Sequence, residues 1–256
     1  MEKEQIQKEF ARQADRMASA PAFRSTIVLE HMAAAVAACP GGRVLDLACG
    51  PGIVAEAVAP FARELVGVDL TPEMIRLAEQ RFIDSGLTNG RFLVAPAEQL
   101  PFSDDSFDVA VTRLSLHHFL DVHRVLAELR RVMAREGMLI VADVISAEDP
   151  GEADLHNALE QLRDPTHVRM LSRTILRSKL ENSGFAVLSE ESWDQERRFG
   201  EWAQIVGDPN RTAPLLQVMK SLAHCRQQAG INLREVSDEV YFTHTWLLVK
   251  ATCRKG

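Results

Sequence analysis

Short apolar runs alternate with amphipathic stretches along the first part of the chain. Val44-Leu45-Asp46-Leu47, Leu65-Val66-Gly67-Val68, Arg91 to Ala95, Phe107 to Thr112 and Met138 to Ala142 are too short for buried helices and read as strands. Between them apolar positions recur at helical spacing. Residues 1–40 predict helix, with Phe10, Ala14 and Met17 on one face and Ile27, His31 and Ala34 continuing after Pro21, until Pro40-Gly41-Gly42 stops it. Ile53 to Phe61 predicts a helix broken near Pro60. Thr71 is placed to cap the next helix, Pro72 takes its first position, and Gly86 ends it. Asp121 caps a helix carrying Val122, Val125, Leu126, Leu129 and Val132. Strands and helices alternating at this spacing predict a parallel sheet covered on both faces.

After Val144 the rhythm changes. Residues 147–170 are polar and helical in part, Ser172 to Asn182 is a capped helix closed by Gly184, and Phe185 to Trp193 alternates like a strand. Residues 199–236 read as helical, and Tyr241 to Thr252 as a last apolar strand. No Gly/Ser linker or repeat divides the chain. The expectation is one α/β domain over 1–256: a helical segment (1–40), a core half (41–145) and late helical additions (146–240) placed to cover a site.

Composition narrows the class. The 256 residues are 46% apolar and 25% charged, as in soluble globular proteins, and no stretch approaches a membrane span. The net charge of −7 disfavours a nucleic-acid partner, which needs a basic footprint. Cys39, Cys49, Cys225 and Cys253 form no CxxC, and the charged start of the chain has no apolar signal region, so a cytoplasmic protein is expected. No ligand spacing for a metal is present, and His123 falls inside a helix.

The chemistry concentrates after the first strand, in Asp46-Leu47-Ala48-Cys49-Gly50-Pro51-Gly52. Ligands of open α/β sheets bind beyond the carboxyl ends of strands, and Gly50 and Gly52 allow close backbone approach. Asp46 would repel a pyrophosphate and attract a cation, which argues against a dinucleotide and for S-adenosylmethionine, with its ammonium and sulfonium. Asp69 ends the next strand, where a carboxylate holds ribose hydroxyls; the plainer reading is a cap for the helix at Thr71.

Asp46 to Gly52, Asp69, Ala97-Glu98-Gln99-Leu100-Pro101-Phe102, Ser106-Phe107-Asp108 and Leu116-His117-His118 together resemble a class I S-adenosylmethionine-dependent methyltransferase, in the branch of the ubiquinone/menaquinone-biosynthesis and small-molecule enzymes. The resemblance covers about residues 40–145. It implies a Rossmann-like, doubly wound, seven-stranded sheet with an antiparallel last strand. It also implies that Asp46 and the backbone of Ala48, Cys49, Gly50 and Gly52 hold the methionine part, Asp69 the ribose, Leu70 and Met74 the adenine face, and Ala97 and Glu98 its edge. Arg113, Leu114 and His118 would close the pocket. The family often has Asp before the Ala-Glu pair, where it accepts a hydrogen bond from the adenine amino group; Pro96 stands there and its side chain cannot.

The implied reaction is in-line methyl transfer to a small-molecule acceptor, with oxygen, nitrogen and carbon all open as the acceptor atom. A cyclisation or rearrangement on the same fold and a non-catalytic cofactor-binding subunit are the alternatives. His117 and His118, beyond the fourth strand, are candidates for a base or for pocket wall. Arg169, Arg173, Trp193, Trp202 and Tyr241 could line the acceptor side, and Met170 and Leu171 could form a lid.

Overall fold

The computed structural model describes residues 3–20, 26–39 and 41–255. Five parallel strands form the scaffold: β1 (Arg43–Leu47), β2 (Glu64–Asp69), β3 (Gly90–Val94), β4 (Phe107–Arg113) and β5 (Met133–Ile145). Central strands β1, β2 and β4 are apolar on both faces because both faces are covered, which is why their sequences do not alternate. β6 (Phe185–Arg198) and β8 (Glu239–Cys253) complete the sheet in the order β3-β2-β1-β4-β5-β8-β6, with β8 antiparallel to both neighbours.

That path has the seven strands expected, but the sheet has eight. β7 (Arg234–Val236) pairs with the start of β8 through a hairpin whose Ser237 and Asp238 both have positive φ, the geometry of a tight strand-matched turn. This corrects the helical reading of 234–236. β6 also runs beyond Trp193 to Arg198. It is an edge strand, so its outward positions carry Asp194, Glu196 and Arg198, and an apolar pattern cannot reveal them.

Helices α2 (Thr26–Ala37), α3 (Ile53–Val58) and α4 (Pro72–Asp84) pack one face of the sheet; α5 (Val122–Val132) and α7 (Arg173–Asn182) pack the other. The buried face of α2 is Val28, Met32, Ala35 and Val36. Ile27 and Ala34 are exposed, so the face drawn through Ile27, His31 and Ala34 is displaced by one residue; the alanine-rich segment blurs the period. The late helices α6 (Pro150–Arg163), α8 (Phe199–Val206) and α9 (Pro209–His224) share a separate cluster with Phe242 of β8, centred on Trp202, Leu215 and Met219. Among the described residues no helix is long and apolar enough to cross a membrane.

Candidate active site

The turn from β1 into α3 is built on left-handed backbone: Ala48 (φ 54°), Gly50 (φ 53°) and Gly52 (φ 77°). The Cys49 N–H donates to the Val68 carbonyl, tying the turn to β2. The two glycines differ in purpose. A Cβ on Gly50 would meet no atom within 4 Å, and Gly50 lines the large cavity beside the turn. A Cβ on Gly52 would lie 2.9 Å from Ala78 of α4, and Gly52 does not line the cavity. The expected ligand-approach role of Gly52 is therefore replaced by close packing of α3 on α4. Both sites are strained alike for alanine, so the pair isolates the overlap. Gly52→Ala is expected to lower stability by about 1–3 kcal/mol more than Gly50→Ala in urea unfolding.

The cavity encloses about 1120 Å³, its mouth included, at the carboxyl edge of the sheet. The structure brings together Asp46, Ala48, Cys49 and Gly50, Asp69 and Leu70 at the end of β2, and Met74 on α4. Ala97 and Glu98 beyond β3, Arg113 and Leu114 beyond β4, and His118 complete the set expected from sequence, except Gly52 and His117. Sequence reasoning missed the fourth wall. α1 (Lys3–Ser19) contributes Lys3, Ile6, Phe10 and Met17. It is held there by a Lys3–Glu98 ion pair (3.0 Å) and by Gln7 Nε2 donating to the Leu70 carbonyl (2.9 Å). The Ile6-Phe10-Met17 stripe was the available signal, but periodicity does not say which surface a stripe covers.

Asp69 is committed at both oxygens: the Gly50 N–H donates to Oδ2 and the Thr71 N–H to Oδ1, each at 2.9 Å. The carboxylate thus locks the glycine turn to the first turn of α4. The Thr71 side chain makes no cap bond, which corrects its expected role. Burial raises the Asp69 pKa against these two hydrogen bonds. Asp46 is 1% exposed and its Oδ2 has no hydrogen-bond partner among the described residues. Burial pushes its pKa up to about 8; Arg113 opposes this and Asp69 adds to it. Burial lowers Arg113 to about 10, so it stays charged at neutral pH. An orphaned carboxylate oxygen on the wall of a cavity fits a cationic ligand group.

A second pocket of about 680 Å³ adjoins the first and shares Phe10, Met17, Leu114 and His118 with it. His117 lies here rather than in the first cavity. Its Nδ1 donates to Asp143 Oδ1 (2.7 Å), while Asp143 also accepts the Leu116 and Val144 N–H groups. Burial disfavours the charged ring, but the charge and hydrogen bond of Asp143 outweigh it and the His117 pKa is raised. His118 donates from Nδ1 to the Thr166 carbonyl (3.0 Å) and packs edge-on against Phe10. Burial, then the neighbouring charge of His117, lowers its pKa to about 4, so it is neutral at pH 7.

Of the late candidates, Trp202 and Met170 line the second pocket. Trp193 stacks on Trp246, and Leu171 packs into the sheet core. Arg169 pairs with Asp154, Arg173 with Glu190, and Tyr241 donates to Glu239; these three line neither pocket. No metal was expected from spacing, yet the fold gathers His156, Glu160 and His244 with ligand atoms within 4.8 Å of one another. Glu160 is already bound there by Arg163 (2.8 Å) and His244 (3.1 Å).

Residues 45–141 match the family described as a methyltransferase domain. The chain is 34% identical over 187 residues to an uncharacterized methyltransferase, YcgJ, of Bacillus subtilis, covering 73% of each. It is 38% identical over 120 residues to a ubiquinone/menaquinone biosynthesis C-methyltransferase of Citrifermentans bemidjiense, a match spanning 45% of this chain and 51% of that protein. The crystal structure of the B. subtilis YcgJ protein superposes with a TM-score of 0.81 at 28% identity, covering 89% of this chain and all (100%) of that one. With the glycine turn, the two strand-end carboxylates and a relative matched over most of its length, the chain belongs to the S-adenosylmethionine-dependent methyltransferases.

Proposed function

We propose that the chain methylates a small organic acceptor held in the second pocket, with S-adenosylmethionine in the first. The observation that carries this is the wall shared by the two pockets: Phe10, Met17, Leu114 and His118 form a common boundary where two bound molecules would meet. The relatives named for ubiquinone and menaquinone biosynthesis favour a small acceptor, and the charge of −7 disfavours nucleic acid. An acidic chain with free cysteines fits the cytoplasm.

In this reading Asp46 pairs with the methionine ammonium, and Ala48, Cys49 and Gly50 line the methionine part. Asp69 accepts from the ribose hydroxyls through the lone pairs its backbone bonds leave free. Leu70 and Met74 pack on the adenine, with Ala97 and Glu98 at its edge and no side-chain acceptor from Pro96. When bound, the cofactor supplies a methyl group on a positively charged sulfur. The chain's own task is to align the acceptor in line with that methyl, exclude water and take up any proton the acceptor loses. His117, oriented by Asp143 and with no hydrogen bond to Nε2 among the described residues, is the base; His118 is wall.

The test is incubation with radiolabelled S-adenosylmethionine and a broad acceptor panel. Labelled product with equal S-adenosylhomocysteine is expected. Turnover of an acceptor without S-adenosylhomocysteine would instead mark a cyclisation or rearrangement.

Asp46 gives this reading a pH signature. Below about pH 8 the ligand-free carboxyl is protonated, and pairing with an ammonium requires it ionised, so binding releases a proton. Affinity for S-adenosylhomocysteine is expected to rise up to about tenfold per pH unit from roughly pH 6 to 8 and then level. Calorimetry in buffers of different ionisation enthalpy measures the proton, and Asp46→Asn should flatten the slope.

A further inference from the structure

The second pocket contains a cation that the fold leaves unused. Arg197 sits at an inward position of β6, between exposed Glu196 and Arg198, is 7% exposed and lines the pocket. Its guanidinium makes no hydrogen bond or ion pair among the described residues. Two carboxylates act on it by charge, Glu160 and Glu201, and neither pairs with it: Glu160 is held by Arg163 and His244, and Glu201 is exposed on α8. Asp164, which also lines the pocket, accepts the Thr166 N–H (2.9 Å) and hydroxyl (2.7 Å) at Oδ1. Burial lowers the Arg197 pKa, yet a guanidinium does not give up its proton in a protein. Glu160 and Glu201 favour its charge while burial and Arg163 disfavour it, so the guanidinium faces the pocket with its charge only partly compensated. Its planar fork matches a carboxylate. Met170, Ile205 and Trp246 give the same pocket an apolar lining, Trp246 from the sheet face that carries Arg197.

Resting on the methyl-transfer reading, we propose that the acceptor is a small organic acid whose carboxylate is held by Arg197 and whose apolar body lies against Met170 and Trp246. Its reacting end then points toward His117 and the wall shared with the cofactor cavity. Arg197 in this role is a specificity residue: it selects acids over neutral molecules of the same shape.

The test begins with S-adenosylhomocysteine binding by calorimetry. Absence of that binding would fail the methyl-transfer reading itself. The saturated protein is then titrated with benzoate, salicylate, anthranilate and 4-hydroxybenzoate and with their primary amides, following tryptophan fluorescence. At least one acid is expected to bind about tenfold or more tightly than its amide. Arg197→Met should erase that preference, keep S-adenosylhomocysteine affinity and raise the thermal midpoint of the ligand-free protein. If Arg197→Met does not fold, Arg197→Lys should retain a reduced preference. Equal binding of acid and amide, no binding by any of the four acids, or a preference that survives in Arg197→Met would overturn the assignment.

Discussion

Asp69→Asn is expected to weaken S-adenosylhomocysteine binding by about 10²- to 10³-fold while leaving the far-ultraviolet circular dichroism unchanged. The size follows from the double duty of this carboxylate. One oxygen accepts from Gly50 and the other from Thr71, both at 2.9 Å, so an asparagine must turn its NH₂ toward one of two backbone N–H donors. The glycine turn loses its lock to β2, or α4 loses its first-turn bond. In the proposed binding mode the ribose hydroxyls lose one charged acceptor in either case. Hydrogen bonds to charged groups contribute about 1.5–3 kcal/mol each and are not additive here, because the same atoms hold turn and ligand. Calorimetry and thermal unfolding separate the two duties. A lower midpoint with unchanged affinity would reduce Asp69 to a cap.

Much of this was legible because local chemistry and the fold agree over residues 41–145. A buried parallel strand announces itself as a continuous apolar run, and a strand-end carboxylate followed by a glycine turn has few other uses. Asp121 caps α5 as its position predicts, accepting from the Arg124 N–H. The failures occur where the deciding contact is remote in sequence. Thr71 has the identity of a cap, but Asp69, fixed by the register of β2 beside β3, reaches the helix start first. Gly52 lies in a loop of ligand-binding character, but the constraint on it comes from Ala78 on another helix. The closure by α1 joins residues 95 positions apart, Lys3 and Glu98, and no periodicity reports that. Arg197 was invisible for a related reason. It sits among charged residues on an edge strand, and only the pairing of Arg197 with Phe242 in β8 fixes which way it faces.

The last expectation concerns His117. With an acceptor whose nucleophile carries a proton, His117→Ala should lower turnover by about 10²- to 10⁴-fold and leave S-adenosylhomocysteine affinity near the parent value. His117 lines the second pocket and not the first cavity, proposed to hold the cofactor, so its loss should act on chemistry more than on cofactor binding. His118→Ala should do the reverse, because that ring is neutral, bonded to Thr166 and part of both walls. The pH profile distinguishes a base from a pocket contact. Asp143 raises the His117 pKa, so the ring is protonated at low pH and becomes a base as pH climbs through a value above the ordinary histidine range. Turnover should therefore show an ascending limb there, absent in His117→Ala. In Asp143→Asn the stabilising charge is gone and burial remains, so the limb should move to lower pH. The plateau should fall as well, because the ring loses its orienting partner. An ascending limb that stays in place in Asp143→Asn would mean that another group titrates. Wild-type turnover in His117→Ala would mean that the acceptor reaches the methyl group already deprotonated and needs no base.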